Sequence, residues 1–214
     1  EEIGDNCVFM KADITDTQAN MHVCEQLIAK WGKLDIHFAN AGFPHLFSVF
    51  DDKGELNPID PYVADIKVNL IGAYDTARIA SYHMKKNEPD EHGERGNLIF
   101  TASLAAPASN AGDALFGYKS AKEGVSGLAR QFAGLLAPYG IRVNSVCPGW
   151  IKTGMTEGAD TNPGIDLTKP IPFQLFPPTV GDPKSIAQTV VYFIENEFIN
   201  RAEVSVDAGY LLRR

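Results

Sequence analysis

The chain has 214 residues, 44% hydrophobic and 21% charged, which suits one globular domain with a sizeable core. A net charge of −8 with no basic cluster argues against nucleic acid and membrane surfaces as partners. No apolar run approaches the ~20 residues of a membrane span, and no basic-then-apolar leader is visible. Cys7, Cys24 and Cys147 cannot all pair and show no metal-ligand spacing, so buried thiols in a reducing, cytoplasmic compartment are expected.

In chain order, Cys7 to Ala12 reads as a strand ending at Asp13. Thr15 and Asp16 are good helix caps, and Met21, Cys24, Leu27, Ile28 and Trp31 follow at helical spacing until Gly32. Leu34 to Ala39 is a second strand, running into Asn40-Ala41-Gly42, and Phe43 to Asn57 looks irregular. Asp60 and Pro61 open a long helix to about Lys86. A solvated loop over Asn87 to Gly96 leads to a strand over Asn97 to Thr101 and then to Ser103. The next helix spans Phe116 to about Ala137, and Ile141 to Val146 is a strand ending in Pro148-Gly149. Residues 150–181 are rich in Pro, Gly, Thr and Asp, with Phe173, Leu175 and Phe176 embedded. So long a stretch inside a compact domain reads as a substrate lid or as disorder, and the lid is the expectation carried forward. Asp182-Pro183 starts a last helix, and Glu203 to Val206 is a last strand.

Strand and helix alternate throughout, and the strands are near-continuous apolar runs, as expected where both faces are covered. The pattern implies one α/β domain over residues 1–214, an open parallel sheet with helices on both sides. Ligands in such sheets bind beyond the carboxyl ends of the strands, where Asp13, Asn40, Ser103 and Pro148 would gather. Tyr118 and Lys122 are four apart on a helix, hence on one face. An ammonium beside a phenol favours the phenolate, lowering a pKa of ~10 towards neutrality. Such a phenol can exchange a proton with an alcohol or carbonyl oxygen.

Taken together, Asn40-Ala41-Gly42, Ser103, Tyr118-x-x-x-Lys122 and Pro148-Gly149 with Thr153 resemble the short-chain dehydrogenase/reductase family in kind and in order. The resemblance implies a Rossmann-like doubly wound sheet in three α/β/α layers. It implies an NAD(P)-dependent oxidoreductase that interconverts a secondary alcohol and a ketone. Tyr118 would be the general acid/base, and Lys122 would lower its pKa and hold the nicotinamide ribose. Ser103 would orient the substrate oxygen, and Asn69 would anchor a water that links Lys122 to solvent. Asp13, with Ile14 beside it, would lie near the adenine, and Asn40, Ala41 and Gly42 would line the cofactor. Pro148, Gly149, Ile151 and Thr153 would meet the nicotinamide amide and the neighbouring phosphate. NAD and NADP both remain open. A homodimer or homotetramer is implied, with the helices of Asn69 and Tyr118 as subunit faces.

The family's opening strand, glycine-rich turn and helix are not found here, so the sheet is expected to be N-terminally incomplete and the chain part of a longer one. The lid residues, with Trp150 and Phe43, suggest a medium-sized, largely hydrophobic substrate. A binding protein without redox turnover, or a non-redox enzyme performing epimerisation or cyclisation, is the alternative. The five histidines are scattered and carry no expected chemistry, His37 being read as a core residue and Asp51-Asp52 as a solvated turn rather than a metal site.

Overall fold

The computed structural model describes residues 6–104, 115–157, 169–171 and 174–210. Four parallel strands form one sheet in the order β1 (Ile36–Ala39), β2 (Gly96–Thr101), β3 (Ile141–Pro148) and β4 (Glu203–Val206). The register sets Ile36 opposite Asn97, Gly96 opposite Ile141, and Ser145 opposite Glu203. The helices are α1 (Thr17–Trp31), α2 (Asp60–Ile66), α3 (Ala73–Met84), α4 (Phe116–Leu136), α5 (Gly154–Glu157) and α6 (Pro183–Glu195).

The sheet is covered on both faces because alternate side chains of its central strands point opposite ways. Leu98, Phe100 and Val143 pack with Ala77, Ala80 and Met84 of α3 and with Val125, Ala129 and Phe132 of α4. Ile99 and Val146 point the other way, onto Phe193, Ile186 and Val190 of α6. These are the expected three layers. Only β2 and β3 are buried nearly throughout, whereas β1 and β4 at the edges are half exposed.

Local chemistry sets the element ends. Asp16 caps α1 by accepting from the backbone N–H groups of Gln18 and Ala19, and Asp182 caps α6 by accepting from that of Lys184. The helix expected from Asp60 to about Lys86 is continuous but contains a π-helical segment, Lys67–Gly72, between α2 and α3. Helix α4 matches the expected span, and a 3-10 turn (Ala137–Tyr139) ends it at Gly140.

Two expectations need correction. Cys7 to Ala12 is not a strand; its residues are largely exposed, and among the described residues no strand lies beside it to share backbone hydrogen bonds. Cys7 is accordingly exposed and Cys24 half buried, so only Cys147 is the buried thiol expected of all three. Within residues 150–181, α5 forms and Ile151 bridges to Gly181. Leu175 and Phe176 there are exposed, and both donate their backbone N–H to the Ala208 carbonyl. Phe173 lies outside the described residues. No described helix is long and apolar enough to cross a membrane.

Candidate active site

Because all four strands are parallel, their carboxyl ends share one rim. There a cavity of about 500 Å³ opens between the β1, β2 and β3 ends and the start of α6. Asn40, Ala41 and Gly42 line it from β1, and Ser103 lines it from β2. Tyr118 and Lys122 enter from α4, and Pro148, Gly149, Ile151 and Thr153 complete it from β3 onward.

Helical spacing delivers the central pair as expected, with the Lys122 ammonium 5.6 Å from the centre of the Tyr118 ring. Ser103, just past β2, hydrogen-bonds the Tyr118 phenol. The Lys122 Nζ donates to the Thr101 carbonyl at 2.8 Å, which ties α4 to the end of β2. Burial dominates the electrostatics. It holds the Tyr118 phenol above its ordinary range, while the Ser103 hydrogen bond pulls it down and the Asp65 charge pushes it up. Lys122 is buried as well, and burial lowers its pKa to about 8. The expected downward pull of Lys122 on the phenol is thus not the dominant effect here. A buried ammonium is itself only weakly favoured, and burial raises the phenol more than its neighbours lower it.

Asn69 is fully buried in the π-helical segment, behind the cavity wall rather than on it. A π turn carries an extra residue and so re-aims the side chains that follow. Here the Asn69 amide grips Phe43 on both sides, accepting from its N–H at 3.1 Å and donating to its carbonyl at 2.7 Å. A third bond runs to the Asp65 carbonyl at 3.0 Å. Gly42 must be bare for this contact, since a Cβ there would lie 2.4 Å from Asn69 Oδ1 and 3.4 Å from Lys122 Nζ. The Asn-Ala-Gly turn, Asn69 and Lys122 therefore form one packed unit.

Asp13 and Ile14 are not part of that cavity. Asp13 is exposed, and its carboxylate accepts the Thr15 N–H at 2.9 Å, which holds its pKa below the usual carboxylate range. Ile14 packs against Gly72. His37 is half buried on the edge strand rather than in the core, with Nε2 3.2 Å from Thr76 Oγ1, and burial lowers its pKa to about 4. Asp51 folds its own turn by accepting from the Lys53 and Glu55 N–H groups. Among the described residues no group of acidic, His or Cys side chains could hold a metal.

Some lining residues escaped the sequence reading. Thr101 could have been found, as the last residue of a read strand. Pro183, Ile186 and Ala187 close the cavity from α6. Only the fold brings them there, and nothing local in sequence marks them.

The comparisons with known proteins bear on this geometry. A family model described as enoyl-(acyl carrier protein) reductase matches residues 1–211. Human 3-hydroxyacyl-CoA dehydrogenase type-2 is 32% identical over 210 residues, covering 98% of this chain and 78% of the relative.

The chain belongs to the short-chain dehydrogenase/reductase family.

Members of this family are NAD(P)-dependent oxidoreductases acting on CH–OH groups, and this chain is an enzyme of that kind. A (+)-borneol dehydrogenase 1 of Salvia officinalis is 30% identical over 220 residues, covering 97% of this chain and 76% of the relative. A sorbose reductase of Schizosaccharomyces pombe is 35% identical over 186 residues, with 85% and 66% covered. A crystal structure of 3-hydroxyacyl-CoA dehydrogenase type-2 from Mycobacterium avium superposes with a TM-score of 0.85 at 29% identity, over 96% of this chain and 77% of that one.

Proposed function

We propose that this short-chain dehydrogenase/reductase interconverts a secondary alcohol and a ketone on a medium-sized, largely hydrophobic substrate, with NAD or NADP as cofactor. The observation that carries the reading is the Ser103–Tyr118 hydrogen bond at the carboxyl rim, with the Lys122 ammonium on the same helix face. Tyr118 gives or takes the proton at the substrate oxygen, and Ser103 orients that oxygen. The Lys122 ammonium favours the phenolate, the positive charge of an oxidised nicotinamide would favour it further, and Asn69 positions the Gly42–Phe43 turn beside it.

The donor set suits a nicotinamide nucleotide. A buried ammonium, the Asn40 amide and the Thr153 hydroxyl surround a floor of small residues, Ala41, Gly42 and Gly149. These residues, with Tyr118, Pro148 and Ile151, would hold the nicotinamide end, and Asp13 and Ile14 would serve the adenine end. When bound, the nicotinamide supplies or takes up the hydride. The half-exposed Phe43 ring and the exposed Leu175 and Phe176 support an apolar substrate, with the described residues 150–157 and 174–181 belonging to its lid. Ile71, Tyr74, Tyr82 and Leu135, exposed on the long helices, support a homodimer or homotetramer, and the free thiols support a cytoplasmic setting.

The test is direct. The full-length protein is titrated with NADH and NADPH by fluorescence, then assayed on secondary alcohols of graded apolar bulk. Saturable binding of one nucleotide and a kcat/KM that rises with apolar size are expected. Binding with no hydride turnover on any alcohol or ketone, or preference for a polar sugar, would overturn the reading.

A further inference from the structure

A set of buried polar side chains lies between α1 and α3, away from the cavity. Asn20 of α1 and Asp75 of α3 are both buried. The Asn20 Nδ2 donates to the Ile14 carbonyl at 2.9 Å and to Asp75 Oδ2 at 3.2 Å. Both N–H groups of that amide are thereby used. Asp75 Oδ1 accepts from Nε of Arg78 at 3.1 Å and from its Nη2, and the Thr17 side chain bonds the same carboxylate. One amide thus links a backbone carbonyl of the Asp13–Ile14 turn to a carboxylate fixed on α3.

Further contacts complete the seat of that turn. Ile14 fills the space that bare Gly72 leaves, where a Cβ would come within 2.8 Å of Ile14 Cδ1 and 3.3 Å of its carbonyl oxygen. The Asp13 carbonyl accepts the Asp16 N–H at 2.9 Å, and the Asp13 carboxylate accepts that of Thr15 at 2.9 Å. Gly72 closes the π-helical segment whose Asn69 grips Phe43. The Gly42–Phe43 and Asp13–Ile14 turns are therefore mounted on one short length of helix. An apolar pair at positions 20 and 75 would also hold α1 to α3, without the desolvation cost of an amide and a carboxylate. What the amide adds is direction, because it fixes where the Ile14 carbonyl stands, and with it Asp13.

Resting on the nucleotide reading above, in which Asp13 and Ile14 serve the adenine end, we infer that Asn20 and Asp75 are positioning residues for the adenosine half of the cofactor. Asn20 acts through the Ile14 carbonyl, and Asp75 acts through Asn20. The helix carrying Asn69, Gly72 and Asp75 sets the nicotinamide-end turn and the adenine-end turn together, so their separation is fixed before a nucleotide arrives. Such preorganisation lowers the ordering cost of binding.

The test is calorimetric binding of two half-cofactors to the full-length protein. ADP-ribose, or its 2′-phosphate if NADP is the nucleotide bound, probes the adenine end, and reduced nicotinamide mononucleotide probes the other. Asn20→Leu removes both donors and leaves an apolar side chain of similar length. Its ADP-ribose affinity should fall by about tenfold, the worth of one well-placed hydrogen bond, while its mononucleotide affinity stays at the wild-type value. Asp75→Asn still offers a carbonyl oxygen to Asn20 and should retain ADP-ribose affinity, whereas Asp75→Leu should lose it. Should Asn20→Leu not fold, the two Asp75 variants decide by themselves. A merely structural network would weaken both half-cofactors together or neither. Either of those results, or equal losses in the two Asp75 variants, would overturn the inference. Asp13→Ala tells the two possible failures apart. Weak ADP-ribose binding in Asp13→Ala beside wild-type binding in Asn20→Leu removes the positioning role alone, and wild-type binding in both removes the adenine assignment as well.

Discussion

Buried polar groups gather at both ends of the sheet, and they differ in kind. At the amino ends, Arg142 of β3 makes a two-pronged pair with Glu94, at 2.7 and 3.2 Å. Its remaining N–H groups go to the Phe193, Ile194 and Ile199 carbonyls. All five guanidinium donors are thus satisfied, and two of the carbonyls they meet, Phe193 and Ile194, lie in the last turn of α6, where a cation is favoured. Asn144 adds bonds to the Ile199 carbonyl and from the Ala202 N–H. At the carboxyl ends, Ser103, Tyr118 and Lys122 instead border an open cavity, with ionisation displaced by burial. The first set holds the sheet to its last helix. The second remains available to react, and perturbed groups beside a cleft mark a site.

Breaking the amino-end set should cost stability rather than chemistry. Arg142→Ala leaves Glu94 and three carbonyls uncompensated, and should lower unfolding free energy by roughly 3–5 kcal/mol in urea melts. The kcat of the folded fraction should be unchanged.

The next effect sharpens the contrast through pH. The pKa of His37 falls from 6.5 to about 4 on folding, so between those values the unfolded chain binds more protons. Stability should therefore fall as pH drops through that window, by up to roughly 3 kcal/mol, and His37→Gln should flatten the dependence. Melts between pH 4 and 7 would show it. An equal slope in the variant would assign the effect elsewhere.

A smaller loss is expected from Gly42→Ala at the cavity. The new methyl has to displace Asn69 Oδ1, costing about 1–3 kcal/mol, as overpacking does. Unlike the Arg142 change, it should also reduce kcat, because Asn69 and Lys122 pack on the same spot. Asp16→Ala, which removes the α1 cap far from either set, should cost only about 1 kcal/mol and leave turnover alone.

The same contrast explains what could be read before the structure. Strands β2 and β3 were legible because burial on both faces forces unbroken apolar runs, and α4 because its spacing and its glycine stop are local signals. Tyr118 and Lys122 follow from helical spacing, and Ser103 and Asn40 from their places after strands. Cys7 to Ala12 looked equally apolar, yet strand formation needs a neighbour that local sequence does not reveal. The π turn at Asn69 was invisible for a similar reason: its hydrogen bonds are chosen by what the helix packs against.

The most direct test of the site is Tyr118→Phe in the full-length enzyme, with nucleotide binding and turnover measured on the same preparation. Removing one hydroxyl should leave the fold and nucleotide affinity nearly intact while kcat falls by about 10²–10⁴-fold, the usual range for a lost general acid/base. Turnover near that of the wild type, with binding retained, would contradict proton transfer by Tyr118.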